Sequence, residues 1–370
     1  MVVDKKYMAR CLQLAKGGRE NVAPNPMVGC VVVHDGKIIG EGFHRKCGEA
    51  HAEVNAIASV KDQSLLKDST LYVSLEPCSH YGKTPPCAEL IIQKQIPRVV
   101  VACLDPFPAV SGRGVNMLRE AGIEVVTGVM EQEARELNRI FMVSHLLGRP
   151  YVLLKWAQSE DGFMDIRRKD RSVPAVCFST PETSQTIHKL RSEYMAIMVG
   201  YCTGLLDNPS LTVRSWSGRS PVRVLVDRNL DLPPDSFLLD GSVPTILFTE
   251  QKKQDRKNVS YIPLDPALPV LNQVLTFLYS QQITSLMVEG GSRLLSSFLQ
   301  EDLWDEIQIE TAPLFLHEGV QVPCPGWREK AVPLPSSSYH IHLLTNPVNR
   351  MDRFGHTDRL QNNRIVTKIL

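Results

Sequence analysis

The sequence has no run of about 18 apolar residues, the length a membrane-spanning helix requires. Its first residues, MVVDKKYMAR, also lack the apolar stretch of a secretory signal, so a cytoplasmic location is expected. Net charge is almost absent. Lysine plus arginine (41) nearly cancel aspartate plus glutamate (40), which gives no support for a nucleic-acid partner held by bulk electrostatics. There is no internal repeat and no low-complexity tract. The nine cysteines are odd in number and scattered, which argues against a secreted disulfide framework and leaves reduced thiols or metal ligands.

What is present fits a soluble globular protein of two domains: 370 residues exceed one ordinary core, 43% are hydrophobic and 22% charged. Tyr7, Met8, Cys11, Leu12 and Ala15 recur at helical spacing before a Gly17-Gly18 stop. Val28 to Val33, the turn Asp35-Gly36 and Lys37 to Gly42 read as a hairpin at the centre of a sheet. Strands at Leu71 to Leu75 and Arg98 to Ala102 then alternate with helices near His51, after Pro86 and at Val115 to Ala121, the last followed by another strand. That alternation predicts an α/β layered domain with largely parallel pairing. One helix is expected from Glu131 to about Leu147, with a boundary at Gly148-Arg149-Pro150. The second half repeats the class, with strands at Tyr151 to Lys155, Ala196 to Val199, Val222 to Val226, Thr245 to Phe248 and Ser285 to Val288. Its expected helices run from Pro181 to Arg191, Pro269 to Ser280 and Ser292 to Leu299. The expected division is 1–147, 150–334 and a basic tail, 335–370, that reads as a solvated extension.

Chemistry concentrates first at His51-Ala52-Glu53, Pro77-Cys78 and Cys87. One imidazole and two thiolates leave the fourth tetrahedral position of a zinc ion for water, the mark of a catalytic rather than a structural site. Helix dipole and metal both favour the thiolates. Glu53, two residues past the histidine, can reach that water and would shuttle its proton to departing ammonia, as in zinc nucleobase deaminases. Common deaminases keep two residues between the cysteines, whereas PCSHYGKTPPC has eight. This run, with APNPMVG at 23–29, GEGFHRKCGEAHAE at 40–53 and LDPFP at 104–108, resembles the deaminase domain of the bacterial bifunctional riboflavin enzymes.

The resemblance implies a three-layer cytidine-deaminase-like fold and a substrate that is a diaminopyrimidinone carrying a ribosylamino 5-phosphate, whose 2-amino group water replaces. It also implies that Asn25, His44, Lys83 and Asp105 bind the pyrimidine and the ribose phosphate. Asn25 suits a base edge and Lys83 a phosphate. Asn25 between two prolines could instead shape a turn, and Lys83 could be solvated. Phe107 departs from the family, which usually has asparagine there.

In the second half, Lys155-Trp156-Ala157-Gln158-Ser159-Glu160-Asp161-Gly162 resembles the family's K-x-A-x-S-x-D-G pattern. Thr203 to Arg214 resembles its T-x-L-x-D-D-P-x-L-T-V-R segment, and the match extends to Val288-Glu289-Gly290-Gly291-Ser292. Together they imply a dihydrofolate-reductase-like domain. By position Ala157, Thr203, Asp207, Gly290 and Gly291 would touch NADPH, while Arg191, Leu211, Arg214 and Glu289 would hold the substrate. Independently of the family, two glycines before a helix permit close backbone approach to a phosphate, and two arginines imply an anion clamp. Reduction adds hydride to C1′ of the opened ribosylamine, and Lys155 and Asp207 are the polar candidates for orientation and for one proton. Both also read as a strand-end lysine and a turn aspartate. Ala175, Cys177 and Asn208 depart from the family's serine, tryptophan and second aspartate.

Two rival readings make different demands. A nucleic-acid or free-nucleoside editing deaminase would space its cysteines more closely and show a basic stripe. A C-terminal half that merely binds or dimerises would leave NADPH unoxidised by the deaminated intermediate. The resemblance further implies a homo-oligomer built through the reductase domains.

Overall fold

A computed structural model describes residues 5–79, 85–106, 111–323, 340–346 and 366–369. The chain divides into two compact units, Met1–Gly148 and Arg149–Leu370.

The first unit runs α1 (Lys5–Ala15), β1 (Gly29–His34), β2 (Lys37–Phe43), α2 (Ala52–Ser59), β3 (Thr70–Val73), α3 (Cys87–Gln93), β4 (Arg98–Val101), α4 (Arg113–Glu120), β5 (Glu124–Thr127), α5 (Glu131–Leu137) and α6 (Arg139–Leu147). Its sheet has the order β2-β1-β3-β4-β5. The hairpin therefore lies at one edge, not at the centre. The pairing is mixed rather than largely parallel: β1 runs antiparallel to both neighbours, and only β3, β4 and β5 run parallel. The cause is α2, which carries the chain from β2 over β1 to a strand of the same direction on the far side.

Strand alternation sorts the core. Cys30, Val32, Leu71, Val73, Val99 and Val101 meet Ala56 and Ile57 of α2, Ile91 of α3 and Leu118 of α4 on one face. On the other, Tyr7 of α1 packs on Tyr72 with ring centroids 5.1 Å apart, and the Cys11 thiol donates to the Tyr72 carbonyl. Three layers result. The single helix expected over 131–147 is interrupted at Asn138. Its buried amide donates to the Met27 carbonyl (2.9 Å) and accepts from the Met27 N–H (2.8 Å), clamping the loop before β1.

The second unit comprises β6 (Tyr151–Ser159), β7 (Phe163–Asp165), α7 (Pro181–Glu193), β8 (Ala196–Val199), α8 (Tyr201–Asp207), β9 (Val222–Val226), β10 (Thr245–Thr249), β11 (Val259–Pro263), α9 (Val270–Ser280), β12 (Ser285–Glu289), α10 (Ser292–Gln300), β13 (Glu306–Ala312), β14 (Val320–Gln321), β15 (His340–Thr345) and β16 (Val366–Ile369). Strands β11-β10-β9-β8-β12-β6-β13 are parallel, then β15 and β16 join antiparallel. The parallel strands are buried on both faces: Ala196 and Met198 enter one apolar cluster, Ile197 and Val199 the other. After β8 the chain turns toward β9, and after β12 it turns the opposite way toward β13. A crevice at the carboxyl ends of these strands follows from that divergence.

The solvated extension expected after residue 335 is contradicted for 340–345, which pair with β13 from Thr311↔His340 to Glu306↔Thr345. The alternating strand β13 otherwise presents a raw hydrogen-bonding edge. Arg350, Arg353, Arg359 and Arg364 lie outside the described residues. Among the described residues no helix is long and apolar enough to cross a membrane.

Gly42 of β2 is where α2 touches the sheet: a Cβ there would stand 2.3 Å from the Ala56 nitrogen and 2.7 Å from the Ala52 carbonyl oxygen. Gly42→Ala is expected to push α2 off the strand and destabilise the N-terminal unit by about 1–3 kcal/mol, read as a lower first transition in a thermal melt.

Candidate active sites

In the first unit three segments converge on a cleft of about 590 Å³. His51 is the N-cap of α2, Cys87 opens α3, and Cys78 follows the end of β3. Asn55 of α2 fixes the approach to His51 by donating to the Phe43 and Ala50 carbonyls. The start of α3 holds Cys78, since the Cys87 N–H points at its sulfur (3.3 Å) and the Ala88 N–H at its carbonyl (3.2 Å). His51 Nδ1 is 3.5 Å from Cys78 Sγ and 3.4 Å from Cys87 Sγ, and the three donor atoms lie within 4.8 Å of one another. A tetrahedral zinc with bonds of about 2.3 Å to sulfur and about 2.05 Å to nitrogen separates these atoms by about 3.6 Å. The donor set fits the ion in kind and spacing.

A hydrogen bond from Cys87 and, against burial, the His51 contact hold the Cys78 thiol down at about 4. The same Cys87–Cys78 bond and burial push the Cys87 thiol upward. The pair thus shares one proton, and a metal would displace it. Glu53 is 3% exposed, and burial, with the Cys78 charge beside it, raises its carboxyl to about 7.

Asn25, His44, Glu53, Cys78 and Asp105 all line the cleft with His51, while Cys87 is buried behind it. His44 Nδ1 faces the Ala50 carbonyl (3.1 Å) and Nε2 faces Asn25 Nδ2 (3.2 Å). Burial first, then the charge of His51, lowers the His44 pKa. A neutral ring with its proton on Nδ1 accepts from Asn25, which leaves the Asn25 carbonyl oxygen available to a ligand. Lys83 and Phe107 lie outside the described residues.

Sequence reasoning missed the residue that organises the rear of this site. Glu76 is 6% exposed, and its carboxylate accepts from the backbone N–H groups of Asp105 (3.1 Å), Gly112 (2.9 Å), Gly114 (2.9 Å) and Val115 (3.2 Å). It joins the Cys78 strand to the Asp105 loop and the start of α4. Phe141 and His145 of α6 also line the cleft, although the sequence marks that helix only as the end of a domain.

In the second unit the crevice between β8 and β12 is a cleft of about 770 Å³. Lys155, Ala157, Thr203, Asp207, Glu289, Gly290 and Gly291 all line it, with Ala175 and Phe178 of the segment before α7. Gly290 and Gly291 have φ of +101° and +82°, and a Cβ on Gly291 would stand 3.3 Å from Gly200 Cα and 3.4 Å from Thr203 Oγ1. The two glycines keep a backbone cradle open at the start of α10, which fits the phosphates of a dinucleotide.

The structure does not bring the expected arginine clamp into this cleft. Arg191 is bidentate to Glu289 (3.0 and 2.6 Å) and donates to the Thr212 carbonyl. Against the burial that would raise it, that charge and those bonds hold the Glu289 carboxyl below its ordinary value. The Arg214 guanidinium bonds the Ser210 and Thr212 hydroxyls. Leu211 is 3% exposed within the apolar cluster of Leu225 and Leu238. None of the three lines the cleft.

Asp207 faces the cleft but is ion-paired to Arg168, a residue the motifs do not mark, whose guanidinium also binds Asp165 (2.6 Å). Asn208 caps α8 with φ of +43°, a conformation asparagine tolerates, and its carbonyl accepts from Phe237 N–H (2.8 Å) and Ser236 Oγ (3.2 Å). The departure at 208 therefore serves the helix end. Cys177 is exposed.

Comparison with known proteins identifies both units. Residues 1–103 match the cytidine and deoxycytidylate deaminase zinc-binding region, and residues 150–332 match the RibD C-terminal domain. The riboflavin biosynthesis protein RibD of Aquifex aeolicus is 42% identical over 327 residues, covering 86% of this chain and 90% of the relative. That of Escherichia coli is 36% identical over 349 residues, covering 89% and 93%. The crystal structure of a diaminohydroxyphosphoribosylaminopyrimidine deaminase/5-amino-6-(5-phosphoribosylamino)uracil reductase from Thermotoga maritima superposes with a TM-score of 0.77 at 39% identity, covering 86% and 89%. Acinetobacter baumannii RibD gives 0.80 at 33%, covering 92% and 98%. This chain belongs to the RibD family of bifunctional riboflavin-biosynthesis enzymes, a zinc-binding deaminase domain followed by a reductase domain.

Proposed function

We propose that the chain deaminates 2,5-diamino-6-ribosylamino-4(3H)-pyrimidinone 5′-phosphate in the cleft of residues 1–147. In the same reading it reduces the ribosyl group of the product to ribityl in the cleft of residues 150–334. The observation that carries the reading is the approach of His51 Nδ1 to both cysteine sulfurs at 3.4–3.5 Å, with the buried Glu53 in the same cleft.

His51, Cys78 and Cys87 would hold zinc, which when bound supplies a water acidic enough to attack a ring carbon at neutral pH. Glu53 takes the proton of that water and delivers it to the departing amine. Its burial beside His51 and Cys78 places the carboxyl where it can both accept and release that proton. Asn25, held by His44, presents its carbonyl oxygen and one N–H to the pyrimidine edge, and Asp105 and Lys83 serve the ribose phosphate.

In the second cleft, Gly290, Gly291, Thr203 and Ala157 would seat NADPH, which when bound supplies the hydride. Asp207 is kept in a fixed orientation by Arg168. Lys155 holds a proton for the nitrogen that becomes electron-rich as C1′ is reduced. Glu289, already joined to Arg191, contacts the substrate, with Arg191 acting through it rather than as an open clamp. Leu211 and Arg214 shape the substrate side by supporting the loop after α8. Family membership supports a cytoplasmic homo-oligomer built through the reductase domains.

Two measurements test the deaminase. Cys87→Ser is expected to lose stoichiometric zinc by elemental analysis and all ammonia release; zinc retained at one per chain would remove Cys87 from the ligand set. Glu53→Gln is expected to keep its zinc but to slow ammonia release by at least about 10²-fold. NADPH oxidation with presupplied deaminated intermediate should stay at the wild-type rate. Ammonia release at full speed in that variant rules out the proton-shuttle role.

A further inference from the structure

Behind the reductase cleft stands a buried carboxylate that neither the motifs nor the cofactor cradle uses. Glu310 of β13 is 1% exposed. Its Oε2 accepts a hydrogen bond from Ser179 Oγ (2.9 Å) and lies 3.6 Å from Lys155 Nζ, while its Oε1 is buried with no hydrogen-bond partner among the described residues. A carboxylate out of water is costly unless paired and fully hydrogen-bonded, and an apolar side chain of similar size would pack there with less penalty. Stability alone gives no reason for this residue.

The charges around Lys155 supply one. Its strand, β6, lies between β12 and β13. On β12 the facing residue is Glu289, in direct register with Lys155, but Arg191 already binds both of its oxygens. On β13 the residue in register is the neutral Gln308, and Glu310 stands two positions further on, on the same face. With Arg191 bound to Glu289, Glu310 is the carboxylate left to balance Lys155. The offset of two residues draws the ammonium along the strands toward their carboxyl ends, where the cleft opens. Ser179 ties this group to the segment before α7, whose Ala175 and Phe178 line the cleft and which departs from the family at Ala175 and Cys177.

We infer that Glu310 is a positioning residue of the reductase: oriented by Ser179, it holds the Lys155 ammonium against the cleft wall. The inference rests on the reading of Lys155 as the group that serves the substrate nitrogen.

The test uses the full-length, zinc-loaded enzyme and presupplied deaminated intermediate, with NADPH oxidation as readout. Glu310→Gln is expected to lower reductase kcat by about tenfold to 10²-fold, with KM for NADPH and the rate of ammonia release unchanged. Glu310→Asp, shorter but charged, should recover part of the loss. Lys155→Ala combined with Glu310→Gln should be no slower than Lys155→Ala alone. An unchanged kcat in Glu310→Gln, or losses that multiply in the double variant, overturns the inference while leaving the reductase reading intact. If Glu310→Gln does not fold, Glu310→Asp decides: a partial loss of kcat that disappears in the Lys155→Ala background supports the inference, and a wild-type kcat or a loss that multiplies with Lys155→Ala overturns it. Failure of the wild-type enzyme to oxidise NADPH, or full speed in Lys155→Ala, overturns the underlying reading and this inference with it.

Discussion

Three donor atoms from three separate stretches of chain stand about 3.5 Å apart, and the deaminase unit is organised around that spacing. Zinc would tighten two sulfurs and an imidazole around itself on binding. The ends of regular elements bring them within its reach. His51 sits at the start of one helix and Cys87 at the start of another, and the second helix directs a backbone N–H at the Cys78 sulfur. Helix starts are rigid and electropositive, so the same feature fixes position and favours thiolate. Glu76 extends the ordering backward by gathering four backbone N–H groups from the Asp105 loop and α4. The ligand loop and the substrate loop are thereby parts of one hydrogen-bonded body.

The reductase unit solves a different problem, that of leaving room. Seven parallel strands covered on both faces have no natural opening except where the chain leaves neighbouring strands in opposite directions. That occurs once at the middle of the sheet, between β8 and β12. Glycines keep the backbone bare there, and charged residues stand around it in pairs: Asp207 with Arg168, Glu289 with Arg191, Lys155 with Glu310. Pairing lets a buried polar cleft be stable before ligands bind, and it fixes which way each charge points.

Much of this was legible in the residues, and the pattern of what was not is physical. His51, Glu53, Cys78 and Cys87 are readable because ligand type and spacing are local properties of the chain, and Gly290-Gly291 because it follows the segments at 155–162 and 203–214 in order. Glu76 is not readable: its partners are main-chain N–H groups 29 to 39 residues away, and any residue could supply them. Glu310 acts through strand register, and Arg168 and Ser179 through long-range contacts from irregular segments, none of which one sequence displays. Arg191 reads differently in the fold: its residue type points to an anion clamp, and its guanidinium is bound to Glu289 of the protein itself. The interruption at Asn138 was hidden because helical periodicity continues across it.

One feature of the second unit reaches beyond chemistry. A strand near the end of the chain, β15, closes the hydrogen-bonding edge of β13, the strand that carries Glu310 and lies directly against β6. A protein cut short before residue 340 would keep every residue named in both clefts, yet would offer solvent an unsatisfied strand beside its reductase cleft. Such an edge invites pairing with another molecule, so the far end of this chain protects solubility and the active cleft together.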